Sequence, residues 1–136
     1  MTPREIKIRK EERSAAQDYL KKAGDNYQQM LLAIEGNNYN AAATLAIQCC
    51  ISAADAICVF EKGIRSVSAD HFDVCELVES LAIPDAVDKA KTLRKIIAKK
   101  NMVQYERRNI FQVEAEEVVK LTTRFYQWVN LILSKK

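Results

Sequence analysis

Turn-forming residues are scarce in this 136-residue chain, with three glycines and two prolines in all. A sheet protein needs a turn every few residues, so the scarcity excludes a sandwich or barrel and leaves long helices. Alternating runs of Val, Ile and Thr are missing as well. Histidine is rarer still, represented by His71 alone. The four cysteines, Cys49, Cys50, Cys58 and Cys75, lack the spacing of a zinc site, and one histidine cannot complete it. They read as reduced thiols packed as small hydrophobes, and no metal or other cofactor is expected. The start, "MTPREIKIRKEER", is charged and lacks the apolar core of a secretory signal. The longest apolar stretch, "AAATLAIQCCISAADAICVF", is broken by Thr44, Gln48, Ser52 and Asp55. It reads as a buried helix and not a membrane span, so a cytoplasmic protein is expected.

What is present fits one globular domain over residues 1–136: 49% hydrophobic and 29% charged residues, enough to bury a real core. Apolar spacing predicts a first helix from about Glu11 to Ile34, with a stripe of Ala16, Leu20, Ala23, Tyr27, Leu31 and Ile34, ending near Gly36. A second helix, capped by Asn40, runs to about Glu61 on a small-residue face of Ala42, Ala46, Cys49, Cys50, Ala53, Ile57 and Phe60, and stops at Gly63. After a polar connection, "IRSVSAD", Ser68 or Asp70 opens a short helix over about His71–Leu81. Pro84 suits the first turn of a fourth long element, which continues past Asn101 to about Arg108. The last, Val113 to Leu133, carries Ala115, Val118, Val119, Thr122, Phe125, Tyr126, Val129 and Ile132 on its core side. These elements predict an all-α fold: an antiparallel up-and-down four-helix bundle with one additional short helix.

Charge is uneven. Between Lys89 and Arg108 there are eight basic residues and one acid, Glu106, against a net charge of only +3 for the chain. Such a strip meets phosphates in nucleic-acid proteins, and in others it is a solvated face paired with acidic neighbours. In the same segment, "IIAKKNMVQYERRNIF", the apolar stripe Ala86, Ala90, Leu93, Ile97 gives way to Asn101, Gln104 and Arg108, with Lys100 and Tyr105 on the flanks. A buried amide without partners costs roughly 1–3 kcal/mol. These residues therefore either line a cleft or interface, or are wet where the helix leaves the core.

The small-residue second helix, the loop and helix opening on His71, and "LRKIIAKKNMVQYERR" together resemble the HEPN family of small helical-bundle domains. The family signature is commonly Arg, a polar residue such as Asn, and then His or Tyr a few residues on; Lys100, Asn101 and Tyr105 stand in those places. The resemblance implies a homodimer whose two signature segments line a shared cleft. It also implies RNA or nucleotide binding, and in some members metal-independent cleavage of RNA or pairing with a nucleotidyltransferase as toxin and antitoxin. Lysine offers a cation but not the arginine fork, and tyrosine, ordinarily titrating near about 10, is a poorer acid/base than histidine. The departures weaken catalysis more than binding.

On this reading Lys100, Asn101 and Tyr105 hold the catalytic places, while Lys99, Gln104, Arg107 and Arg108 contact nucleotide or RNA. His71, at the start of another helix, is expected to have a structural or surface role. Three functions stay open: an RNA- or nucleotide-binding homodimer, a metal-independent ribonuclease using Tyr105 in place of His, and a non-catalytic interaction bundle whose amides set dimer register.

Overall fold

In the computed structural model, residues 5–135 are described, the side chain of Lys135 excepted. The chain is mainly helical, as its composition requires, with one addition the sequence pattern did not announce. Strand β1 (Ile8–Lys10) pairs antiparallel with strand β2 (Ile64–Ser66), Ile8 opposite Ser66 and Lys10 opposite Ile64. Three residues are too few for an alternation to register. The pairing delays the first helix: Glu11 and Glu12 lie ahead of it, Arg13–Ala15 form one 3-10 turn, and helix α1 runs from Ala16 to Glu35.

Helix α1 buries Ala16, Ala23, Met30 and Ala33, whereas Leu31 and Leu32 are 36% and 60% exposed. The expected stripe through Leu31 is therefore one position out at its C-terminal end. Ala16, Ala23 and Met30 recur every seven residues, the period of a helix that follows a partner along its length. Asn37, at φ 60°, turns the chain into helix α2 (Tyr39–Lys62). Asn40 does not cap α2; its side chain works elsewhere, as described below. Gly63 ends the helix at φ 65°, and a Cβ there would come within 3.3 Å of the Glu11 carbonyl oxygen.

Helix α2 is the centre of the molecule. Its most apolar 18-residue window has the length and hydropathy of a membrane span, yet 67% of that window is buried inside this protein. Ala53, Ile57 and the cysteines pack with Phe125 and Val129 of helix α6 (Gln112–Lys135), with Ala90, Leu93 and Ile97 of helix α4 (Ala86–Ile97), and with Val74 and Val78 of helix α3 (Phe72–Glu79). Small side chains on α2 let these neighbours approach closely. All four cysteines are buried free thiols, and burial pushes each of them up, Cys50, Cys58 and Cys75 to about 12. The Cys50 thiol donates to Thr122 Oγ1 at 3.3 Å. Between α1 and α6, Tyr27 and Tyr126 stack at 4.4 Å, and Gly24 leaves room for the Tyr126 hydroxyl.

Pro84 lies in the turn before α4, not in its first helical turn, and Asp85 at φ 69° leads into the helix. The fourth element does not continue to Arg108. It stops at Ile97, tightens through Ala98 and Lys99, and restarts as the six-residue helix α5 (Lys100–Tyr105) before Glu106 goes extended. The Lys99 amide reaches back to the Ile96 carbonyl at 3.0 Å, a three-residue step in place of four. The cause is phase. After Ile97 the next large apolar side chains are Met102 and Val103, which at about 100° per residue fall off the α4 stripe. The restart turns them onto Ala43, Ile110 and Ala115, where they pack half-buried.

Candidate functional site

The loop from β2 to α3 is shaped by its own side chains. Ser66 Oγ accepts the Ser68 amide at 3.3 Å, Ser68 Oγ accepts the Asp70 amide at 3.2 Å, and Asp70 Oδ1 accepts the Phe72 amide at 2.9 Å. Three consecutive side-chain turns of this kind fix a loop without help from helix or sheet. Asp70 thereby opens α3 as expected. The loop is anchored one step earlier, where Arg65 Nε donates to buried Asp55 Oδ2 at 3.2 Å and its guanidinium lies 5.2 Å from the Tyr19 ring. Burial raises the Asp55 carboxyl to about 6, the charge and hydrogen bond of Arg65 opposing it.

This loop delivers His71 to the start of α5. His71, Lys100 and Asn101, with Asp70, Phe72 and Ile97, line one open groove of about 330 Å³. His71 also borders a second cavity, about 230 Å³, that contains Asp55, Arg65, Ser66 and Ser68. Partial burial lowers the His71 pKa, and the Lys100 charge lowers it further against a smaller opposing effect of Asp70. The imidazole is therefore neutral at pH 7, able to accept as well as donate a hydrogen bond. Sequence reasoning gave His71 a structural or surface role. No local pattern links it to Lys100, twenty-nine positions on; only the turn chemistry of "SVSAD" hinted at a built loop.

The other signature residues part company. Tyr105 is 69% exposed, and Lys100 Nζ stands 5.2 Å over its ring. Asn101 is exposed, Gln104 half-buried and Arg107 exposed. Lys99 is half-buried, and its charge helps lower the Glu114 carboxyl. Arg108 is held locally: its two Nη atoms donate to both Glu114 oxygens at 2.9 and 2.7 Å, and its guanidinium lies 5.0 Å from the Phe111 ring. Glu114 also accepts the Phe111 amide at 2.9 Å, so a carboxylate in the first turn of α6 closes the end of that helix. These contacts, the Arg108 hydrogen bonds first, hold the Glu114 carboxyl down to about 2. Asn40 completes the corner by accepting the Ile110 amide at 2.8 Å and donating to Asn109 Oδ1 at 3.0 Å.

Along residues 105–113, Tyr105, Phe111 and Val113 stand 69%, 65% and 73% exposed. Polar groups that converge (His71, Lys100, Asn101) thus line a groove at the start of α5, and large hydrophobic side chains stand out at its last residue and beyond.

Comparison with known proteins bears on the fold. A family model described as HEPN domain matches residues 16–132. No curated protein matches the chain. Among solved structures, TT1696 from Thermus thermophilus superposes with a TM-score of 0.61 at 21% identity, covering 85% of this chain and 96% of that one. At that identity the likeness is one of fold.

Proposed function

This chain belongs to the HEPN family, and from that premise we propose that it is an RNA- or nucleotide-binding domain working as a homodimer in the cytoplasm. The observation that carries the reading is the groove in which Lys100, Asn101 and His71 converge. A lysine ammonium supplies charge to a phosphate, an amide supplies a directional hydrogen bond, and neither requires a metal. The exposed Tyr105, Phe111 and Val113 support self-association beside that groove, since large apolar side chains left in water mark a surface that another protein covers. In the dimer the two Lys100–Tyr105 segments face a shared cleft within an antiparallel four-helix bundle framework. A nucleotidyltransferase partner, as in toxin–antitoxin pairs of the family, would dock on the same dimer.

The test is binding of single-stranded RNA by the purified protein across a salt series, together with its sedimentation. The reading requires RNA affinity that falls steeply with salt, and loss of that affinity in Asn101→Leu while the dimer persists. A monomer that ignores RNA at low salt sinks it. Cleavage of the RNA in EDTA, abolished by Lys100→Ala and Tyr105→Phe, would instead establish the ribonuclease.

A further inference from the structure

Resting on that reading, the cavity on the far side of His71 adds a choice of base. It holds about 230 Å³, room for one purine, between apolar walls of Ile51, Val67 and Val74. Into this space the fold brings an ion pair that packing alone does not need, since a buried pair seldom stabilises more than the apolar side chains that could replace it. The pair is also incompletely used. Arg65 donates to Asp55 Oδ2 through Nε, and no described residue accepts a hydrogen bond from its two terminal nitrogens. Asp55 Oδ1 accepts none from the described residues either, although the side chain is only 8% exposed. Ser66 and Ser68, in the same lining, each accept a backbone amide and keep a hydroxyl hydrogen to give. The charges that bear on Asp55 are Arg65 of β2, Glu11 ahead of α1 and Lys22 on α1, and above pH 7 its carboxyl, raised by burial to about 6, is ionised. His71 borders both this cavity and the Lys100 groove, which sets the cavity beside the nucleotide site.

We infer that this cavity takes a guanine base, Asp55 reading its N1–H and 2-amino donors and Arg65 reading its O6 and N7 acceptors. Guanine sets two donors beside two acceptors along one side. A carboxylate and a guanidinium joined side by side, as here, present acceptors and donors in the matching order. Adenine carries an amino donor where Arg65 needs an acceptor. Uracil has a carbonyl on each side of its one N–H, so one of them faces the carboxylate. Cytosine comes nearer, with an amino group beside two acceptors, but leaves one carboxylate oxygen without a donor in a site where an unmet group is costly. The aliphatic walls and the His71 ring give the faces of the base surfaces to lie against.

The experiment titrates the full chain at pH 7.5 with four single-stranded pentaribonucleotides, UUGUU, UUAUU, UUCUU and UUUUU. UUGUU binds about tenfold or more tightly than each of the others, the worth of one bidentate pair. Replacing its guanine by hypoxanthine, which lacks the 2-amino group, removes most of that preference. In Asp55→Asn the order of guanine and xanthine reverses, because the new amide donates where the carboxylate accepted and xanthine has a carbonyl in place of the amino group. A merely loosened fold would weaken both bases alike. Ile51→Phe fills the cavity, leaves the ion pair in place, and brings UUGUU down to the level of the other three. Guanosine 5′-monophosphate separates two sources of the base: binding as tight as that of UUGUU assigns the cavity to the free nucleotide, and weaker binding assigns it to a base within a strand. Preference for another base, or a guanine preference that survives both substitutions, overturns the inference. If the four pentamers bind alike, the inference falls while RNA binding stands. If neither they nor the mononucleotide bind, both fall together.

Discussion

Arg108 grips Glu114 through both of its terminal nitrogens, and Glu114 in turn holds the Phe111 amide. A cation at the end of the basic strip is thereby turned inward to fasten the chain between α5 and α6. Lys100, by contrast, makes no acidic contact among its described interactions and faces the groove. The two residues look equivalent in sequence and have different work in the fold.

Salt dependence of RNA binding should separate them. Lys100→Ala is expected to weaken binding and to reduce the slope of log affinity against log salt by about 1. Arg108→Ala should change that slope by clearly less, because its charge is already compensated. Anisotropy titrations between about 50 and 200 mM salt decide the matter.

Breaking the grip from the other side should loosen the corner. In Glu114→Gln, trypsin is expected to cut after Arg107 or Arg108 several-fold faster than in the parent protein. The pH sign follows from a carboxyl held down to about 2. Its stabilising contribution is complete above the ordinary carboxylate range and is lost as pH falls toward 2. Protection of the Phe111 amide, taken relative to its intrinsic exchange rate at each pH from pH 5 down to pH 3, should fall in the parent and change little in the variant.

The Asp55–Arg65 pair carries the opposite sign. Burial raises the Asp55 carboxyl to about 6, so the folded state binds a proton more readily than the unfolded chain, and this residue favours folding more as pH falls from above 6 toward 4. Removing its cation should therefore hurt most when Asp55 is charged. Arg65→Met is expected to cost roughly 2 kcal/mol at pH 8 and under about 1 kcal/mol at pH 5, read from urea melts at the two pH values. Asp55→Asn should cost less than Arg65→Met at pH 8, since it leaves behind a guanidinium that water can still reach.

Gly24 tests the close approach of α1 and α6. A Cβ there would lie 3.0 Å from the Tyr126 hydroxyl, whose ring is pinned against Tyr27. In Gly24→Ala the helix-propensity gain of about 1 kcal/mol is expected to be largely offset by displacement of that hydroxyl, leaving the melting temperature within a few degrees. Gly24→Val, bulkier and β-branched, should lose about 2 kcal/mol or more.

Much of the fold could be read along the chain, because periodicity reports burial wherever a helix keeps one face inward. α2 and α6 show this: Ala42, Ala46, Cys49, Ala53 and Ile57, then Ala115, Val118, Thr122, Phe125 and Val129, are buried where the spacing put them. The site was less legible. Asn101 and Gln104 were expected on a continuation of α4, and the chain breaks before them because Met102 and Val103 have their own place to pack. The β1–β2 ribbon left no pattern, since three residues pair through backbone groups that no side chain advertises. His71 was given a structural or surface role because its neighbours in the groove are distant in sequence, and a lone imidazole signals nothing until its surroundings are known.

That short ribbon has a mechanical consequence. The Val67 amide bonds the Lys7 carbonyl, and the Glu11 amide bonds the Gly63 carbonyl, so the β1 segment is laced to the chain just ahead of the residues that present the imidazole. Tension applied ahead of Ile8 would load this lacing before it reached any long helix. Under force the ribbon would part first, while the helical body and the side-chain turns around His71 were still intact.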